Sequence, residues 1–145
     1  NFLPGSFSPS DRFARASFMA GALPTVLNKA YAPALPDQSL ETQASLGILG
    51  VMRAVSVPLG EGVQVQPNDS TTLWRSVSDQ KSKVYYFDSA TSPSAFWVDL
   101  KQVDFSAEAG VKKLTMAGGK TYSGNATALF TKATLFTPLP FIIKP

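Results

Sequence analysis

Arg12 stands four positions after Ser8, in a stretch, Ser8-Pro9-Ser10-Asp11-Arg12, that carries the marks of a helix start. Ser8 fits the N-cap and Pro9 the first helical position. Asp11 falls three residues after the cap, where a carboxylate can reach back to free amides. A cation in this first turn opposes the positive end of the helix dipole. Two readings are open. In one, Arg12 pairs with Ser8, Asp11 or a surface carboxylate. In the other, guanidinium and helix end together form an electropositive spot for a thiolate, a carboxylate or an oxyanion.

Other chemistry is narrowed by what the chain lacks. With no Cys and no His in 145 residues, it holds no thiolate nucleophile, no Ser-His-Asp or Cys-His arrangement, and neither of the commonest zinc ligands. No metal and no cofactor is expected. Gly119-Lys120-Thr121 matches the end of a phosphate-binding loop, but Leu114 stands where that loop needs its first glycine. Asn68-Asp69-Ser70 and Asn125-Ala126-Thr127 fit the glycosylation triplet, which is frequent by chance. Asp79, Asp88, Asp99 and Asp104 are too dispersed for a metal cage and read as strand-end and turn residues. Trp74, Tyr85, Tyr86, Phe96 and Trp97 read as core before they read as a stacking platform.

The elements that must position these residues follow from the pattern. A helix is predicted from Ser8 to Leu23, with Phe13, Ala16, Ala20 and Leu23 on one stripe and Pro24 ending it. A second begins after Ser39, with Glu41 in its first turn and Leu40, Ala44, Ile48, Met52 and Val55 as its apolar stripe; Pro58 stops it. Gly47 and Gly50 weaken that helix and point to close approach of a neighbour. Three strands are predicted at residues 71–79, 83–88 and 95–100. The unbroken apolar runs 84–87 and 95–98 suggest cover on both faces. Residues 126–136 form a strand or a short helix. Helix, helix, then an antiparallel meander makes an α+β fold.

Composition agrees with a globular protein: 44% of the residues are apolar and 16% charged. The net charge of +3 comes from scattered bases, with Lys112-Lys113 the only adjacent pair. A nucleic-acid partner is therefore not expected, and no apolar run is long enough to span a membrane. Asn1 stands where an initiator methionine would, so a processed or truncated product is expected.

Leu3-Pro4-Gly5-Ser6-Phe7-Ser8-Pro9-Ser10-Asp11-Arg12-Phe13-Ala14-Arg15-Ala16 resembles the Leu-Pro-Gly loop and Ser-x-x-Arg-Phe-x-Arg-Ala helix start of the choloylglycine hydrolase and penicillin V acylase family. Residues 74–79, 83–87 and 96–100 resemble its late strands, in order and spacing, and the likeness runs to about Leu114. The resemblance implies part of a four-layer αββα N-terminal-nucleophile hydrolase fold, antiparallel sheets between helical layers. It also implies cleavage of a linear amide by an N-terminal Cys whose own α-amine is the base, chemistry that needs no histidine. Arg12 matches the family arginine beside that nucleophile and is the one catalytic residue expected here; Arg15 matches a recurrent position to which no catalytic role is carried.

Residues 1–145 are then expected to be the C-terminal portion of one hydrolase domain, inactive alone, completed by an N-terminal half that carries the Cys. The expected substrate is a small amphipathic amide: penicillin V, a conjugated bile salt or an acyl-homoserine lactone. The assembled enzyme is expected to be a periplasmic homo-oligomer, its export signal on the other half. The alternatives are a catalytically dead relative and a stand-alone domain that binds amphipathic ligands.

Overall fold

The computed structural model describes residues 3–60 and 71–134. Helix α1 (Pro9–Gly21) starts as the capping residues dictate, with the Ser8 hydroxyl accepting from the Asp11 amide at 3.3 Å. It ends two residues short of Leu23. A second helix, α2 (Leu40–Ala54), is capped by Ser39, whose hydroxyl takes the Thr42 amide at 3.0 Å. Strands β1 (Trp74–Asp79), β2 (Val84–Ser89) and β3 (Ala95–Asp99) form the expected antiparallel meander. Two-residue strands β4 (Lys112–Lys113), β5 (Gly124–Asn125) and β6 (Thr131–Lys132) complete the set. The main sheet runs β1-β2-β3-β5, and β4 pairs with β6.

One pairing departs from expectation: β5 lies parallel to β3, with Phe96 opposite Gly124. The span 126–136 proves mixed, with a 3-10 turn at Thr127–Leu129 and then β6; residues 135 and 136 lie outside the described residues, as does the triplet Asn68-Asp69-Ser70.

Register sorts the sheet into two faces. Arg75, Tyr86, Asp88 and Trp97 share the face toward α2. Phe87, Phe96 and Val98 share the other, packed with Leu100, Leu114, Met116, Tyr122, Ala126 and Phe130. The apolar runs of β2 and β3 are thus covered on both sides, as their composition predicts. Phe96 stacks with Phe87 and meets the edge of Tyr122, with centroids 5.3 and 5.8 Å apart. Trp74, by contrast, is 58% exposed.

The helices correct two expected stripes. In α2 the buried positions are Thr42, Ser45, Leu49 and Val51, whereas Ala44 and Met52 are exposed. Small hydroxylated residues let a helix lie close to a sheet, and burial follows that fit more than hydrophobicity. In α1 no residue is buried, and Phe13 is 75% exposed. Gly47 behaves as predicted: a Cβ there would meet Leu23 Cδ2 at 3.0 Å. Gly50 has nothing within 4 Å of such a Cβ, so close approach does not explain it. No helix among the described residues is long and apolar enough to cross a membrane.

Candidate active site

The N-terminal turn of α1 is a compact polar knot. Asp11 accepts from the Ser6 hydroxyl at 2.5 Å and the Ser6 amide at 3.3 Å. These bonds, the Ser6 hydroxyl first, hold its carboxyl below the usual carboxylate range. Arg15, one turn on, donates from Nη1 to the carbonyls of Pro4 and Ser6 at 2.7 and 2.8 Å. The second arginine of the pair therefore fastens the Leu3–Ser6 loop to the helix that follows it.

Arg12 does something different. Its Nε donates to the carbonyl oxygen of Val55, at 2.7 Å and across 43 residues. Val55 is the C-cap of α2 and is buried. None of the three partners expected on the first reading holds the guanidinium: the Asp11 carboxylate is taken by Ser6, the Ser8 hydroxyl by the Asp11 amide, and no carboxylate pairs with Arg12 among the described residues. The contact also answers the dipole objection. Arg12 opposes the positive end of its own helix but meets the carbonyl-rich, negative end of α2. A guanidinium carries five N–H donors in a planar fork. Nε is spent on Val55, and Nη1 and Nη2 make no hydrogen bond among the described residues. A cation held at one nitrogen with its fork available can receive an anion.

Beside this contact lies the most buried charge of the described residues. Asp88 is 3% exposed and accepts from Arg53 Nε at 2.8 Å, Arg53 Nη2 at 3.1 Å and Arg75 Nη1 at 3.1 Å. The Arg53 bonds, ahead of the charges of both arginines, hold its carboxyl below the usual range. Arg53, for its part, is pushed up by the same bond. Arg75 Nε also donates to the Ser56 hydroxyl at 2.6 Å, which donates to the Met52 carbonyl at 2.7 Å.

Of the four aspartates read as strand-end and turn residues, three serve as turn acceptors. Asp79 accepts from the Ser82 amide, Asp99 from the Lys101 amide and Asp104 from the Ser106 amide. Asp88 also stands near a strand end, next to last in β2, but it is buried, because two arginines from other elements reach it and make a buried carboxylate tenable. The signal existed in the sequence: once β1 and β2 are paired, Arg75 falls opposite Asp88. Among the described residues no three His, Cys, Asp or Glu gather as a metal site. A cavity of about 390 Å³, lined by Tyr85, Val98, Phe105, Lys112 and Phe130 among others, opens on the other face of the sheet and takes no part in the Arg12 site.

Residues 2–113 match the sequence model of the linear amide C-N hydrolases, choloylglycine hydrolase family. A penicillin V acylase of Pectobacterium atrosepticum is 36% identical over 140 residues, covering 92% of this chain and 36% of the relative. The solved structure of penicillin V acylase from Agrobacterium tumefaciens superposes with a TM-score of 0.75 at 40% identity, covering 95% of this chain and 41% of that one. The chain thus spans about two fifths of the length of these relatives. Its two helices and antiparallel meander are part of an N-terminal-nucleophile hydrolase fold. Family model and relative point to one group, and the chain belongs to the choloylglycine hydrolase family of linear amide C-N hydrolases.

Proposed function

We propose that this chain is the C-terminal, Arg12-bearing portion of a penicillin V acylase-like amide hydrolase whose nucleophilic Cys lies on a separate N-terminal half. The observation that carries the reading is Arg12 itself, anchored through Nε on Val55, with Nη1 and Nη2 making no hydrogen bond among the described residues and so placed to receive an anion. The absence of any Cys from the 145 residues supports it, as does the share of the relatives' length that the chain covers.

In this reaction the thiolate of the partner half attacks the amide carbonyl carbon. The Cys α-amine takes the thiol proton and returns it to the leaving amine, and water then hydrolyses the thioester. Arg12 favours the thiolate over the thiol and fixes where it sits. Penicillin V is the first substrate to try, in line with the names of both relatives. Conjugated bile salts and acyl-homoserine lactones share its pattern of an acyl carbonyl on an apolar body. A periplasmic homo-oligomer of the assembled halves completes the reading.

Denaturing mass spectrometry of the natively purified protein tests it. A second chain that begins with Cys, equimolar with this one, is the expected result. A single species of 15.5 kDa that unfolds cooperatively would sink the two-chain reading and favour a ligand-binding relative.

A further inference from the structure

The carbonyl that receives Arg12 is itself held from both sides. Val55 lies between Arg53 and Ser56. Arg53 is locked on Asp88 by its two bonds, and Ser56 accepts from Arg75 Nε, whose Nη1 returns to Asp88. Asp88, Arg53, the backbone from 53 to 56, Ser56 and Arg75 therefore close a ring, and the Val55 carbonyl is carried on it. We infer that Asp88 is a positioning residue for Arg12: by closing this ring it fixes the cap of α2 and so the place of the guanidinium. What this does to turnover rests on the catalytic reading of Arg12 proposed above; the positioning itself does not.

Packing alone is the rival account. Leu49, Val51 and Val55 are buried and would hold α2 on the molecule without Asp88. Apolar burial is not directional, however, whereas a carbonyl at a helix end is free to tilt unless its neighbours are tied. The Val55 N–H still closes on the Val51 carbonyl. At φ −104° and ψ 6°, however, its own carbonyl receives no backbone amide among the described residues, so the last turn ties one end of the residue and leaves the other to its neighbours. The two flanking residues supply what packing does not. Arg53 from α2 and Arg75 from β1 are the charged groups on Asp88, while β3 places Ala95 opposite it. No second carboxylate on these elements competes for the two arginines among the described residues.

The test uses the assembled protein, labelled with 15N-arginine, of which this chain has four. Solvent exchange of the Arg12 Nε–H reports directly on its bond to Val55. In Asp88→Asn that exchange should rise about tenfold or more, since the bond is made only while the carbonyl is held. Val98→Ala cuts the core on the other face of the sheet and serves as the control: it lowers stability and should leave the Arg12 signal in place. Ser56→Ala breaks the same ring without stranding a charge, so it decides the question even where Asp88→Asn fails to fold. Exchange within twofold of the parent in Ser56→Ala, and in Asp88→Asn where that variant folds, would overturn the inference.

The kinetic arm separates the two claims. Asp88→Asn should lower kcat about tenfold with KM nearly unchanged, because a displaced guanidinium is missed only once the thiolate reacts. In an Arg12→Ala background the same change should cost no further activity. An equal loss in both backgrounds would mean that Asp88 acts independently of Arg12. Full activity of Arg12→Ala would instead remove the catalytic reading and leave the exchange result to judge the ring.

Discussion

The sheet and the first helix are held by different physics. The meander buries Phe96 and Val98 on one face and Tyr86 and Asp88 on the other, so each strand is tied by its ladder and by cover on both sides. Helix α1 buries nothing among the described residues. It is fastened by a few directional bonds at its start, Arg12 to Val55 and Arg15 to Pro4 and Ser6, and by Leu23 against Gly47 near its end. The proposed anion site is thus carried by an element placed through point contacts, not by one sealed in a core. The sheet supplies rigidity, and α1 spends it.

The largest effects should fall on the sheet. Phe96→Ala removes a ring packed on Phe87 and Tyr122 and should cost about 3–5 kcal/mol in urea unfolding. Asp88→Ala strands Arg75 beside the core and should cost about 3 kcal/mol by the same measure. A similar cost from a change on α1 alone would erase the contrast.

The same carboxylate gives the contrast a pH dependence. Its folded pKa lies below the ordinary 3.8, so the unfolded chain binds the proton first and the Asp88 contribution is complete above that value. It drains away as pH falls below 3.8 toward the depressed folded value. The acid slope of stability in that window should be shallower in Asp88→Asn, as urea titrations at stepped pH would show.

Smaller effects should mark the helices. Ser39→Ala removes the cap of α2 and should cost about 1 kcal/mol in thermal unfolding. Phe13→Ser, at a position 75% exposed, should cost less than about 0.5 kcal/mol in this chain by itself. A clearly larger loss in the assembled protein would show that another surface covers α1 there, and would sharpen the distinction between a helix that is merely exposed and one that awaits cover.

Local chemistry was legible and distant chemistry was not. Ser8 and Ser39 cap where their types and neighbours say they should, because a cap is decided within four residues. The strands lie within three residues of their predicted bounds, since β-branched and aromatic runs between turn-formers carry their own signal. The buried face of α2 was misjudged because Thr42 and Ser45 count as polar, while the space against the sheet selects them for size. Asp88 looked like an ordinary strand-end or turn residue because the arginines that pair with it come from 13 and 35 residues away. Arg12 stood out as a cation at the wrong end of a helix, but its acceptor is a main-chain carbonyl, which has no residue type to read. Two-residue β5 is too short for any periodicity to show which way it runs.

The bond between Arg12 and Val55 has a thermodynamic consequence. It exists only when α1 lies on α2, so an anion that recognises the guanidinium in that place also recognises the docked helix. Its affinity for the docked state is then returned as protection, by RT ln(1 + [L]/Kd), against the helix lifting away. Occupancy and local order become two readings of one equilibrium, and an inhibitor that bears an anion at this point would act on the first helix as a splint.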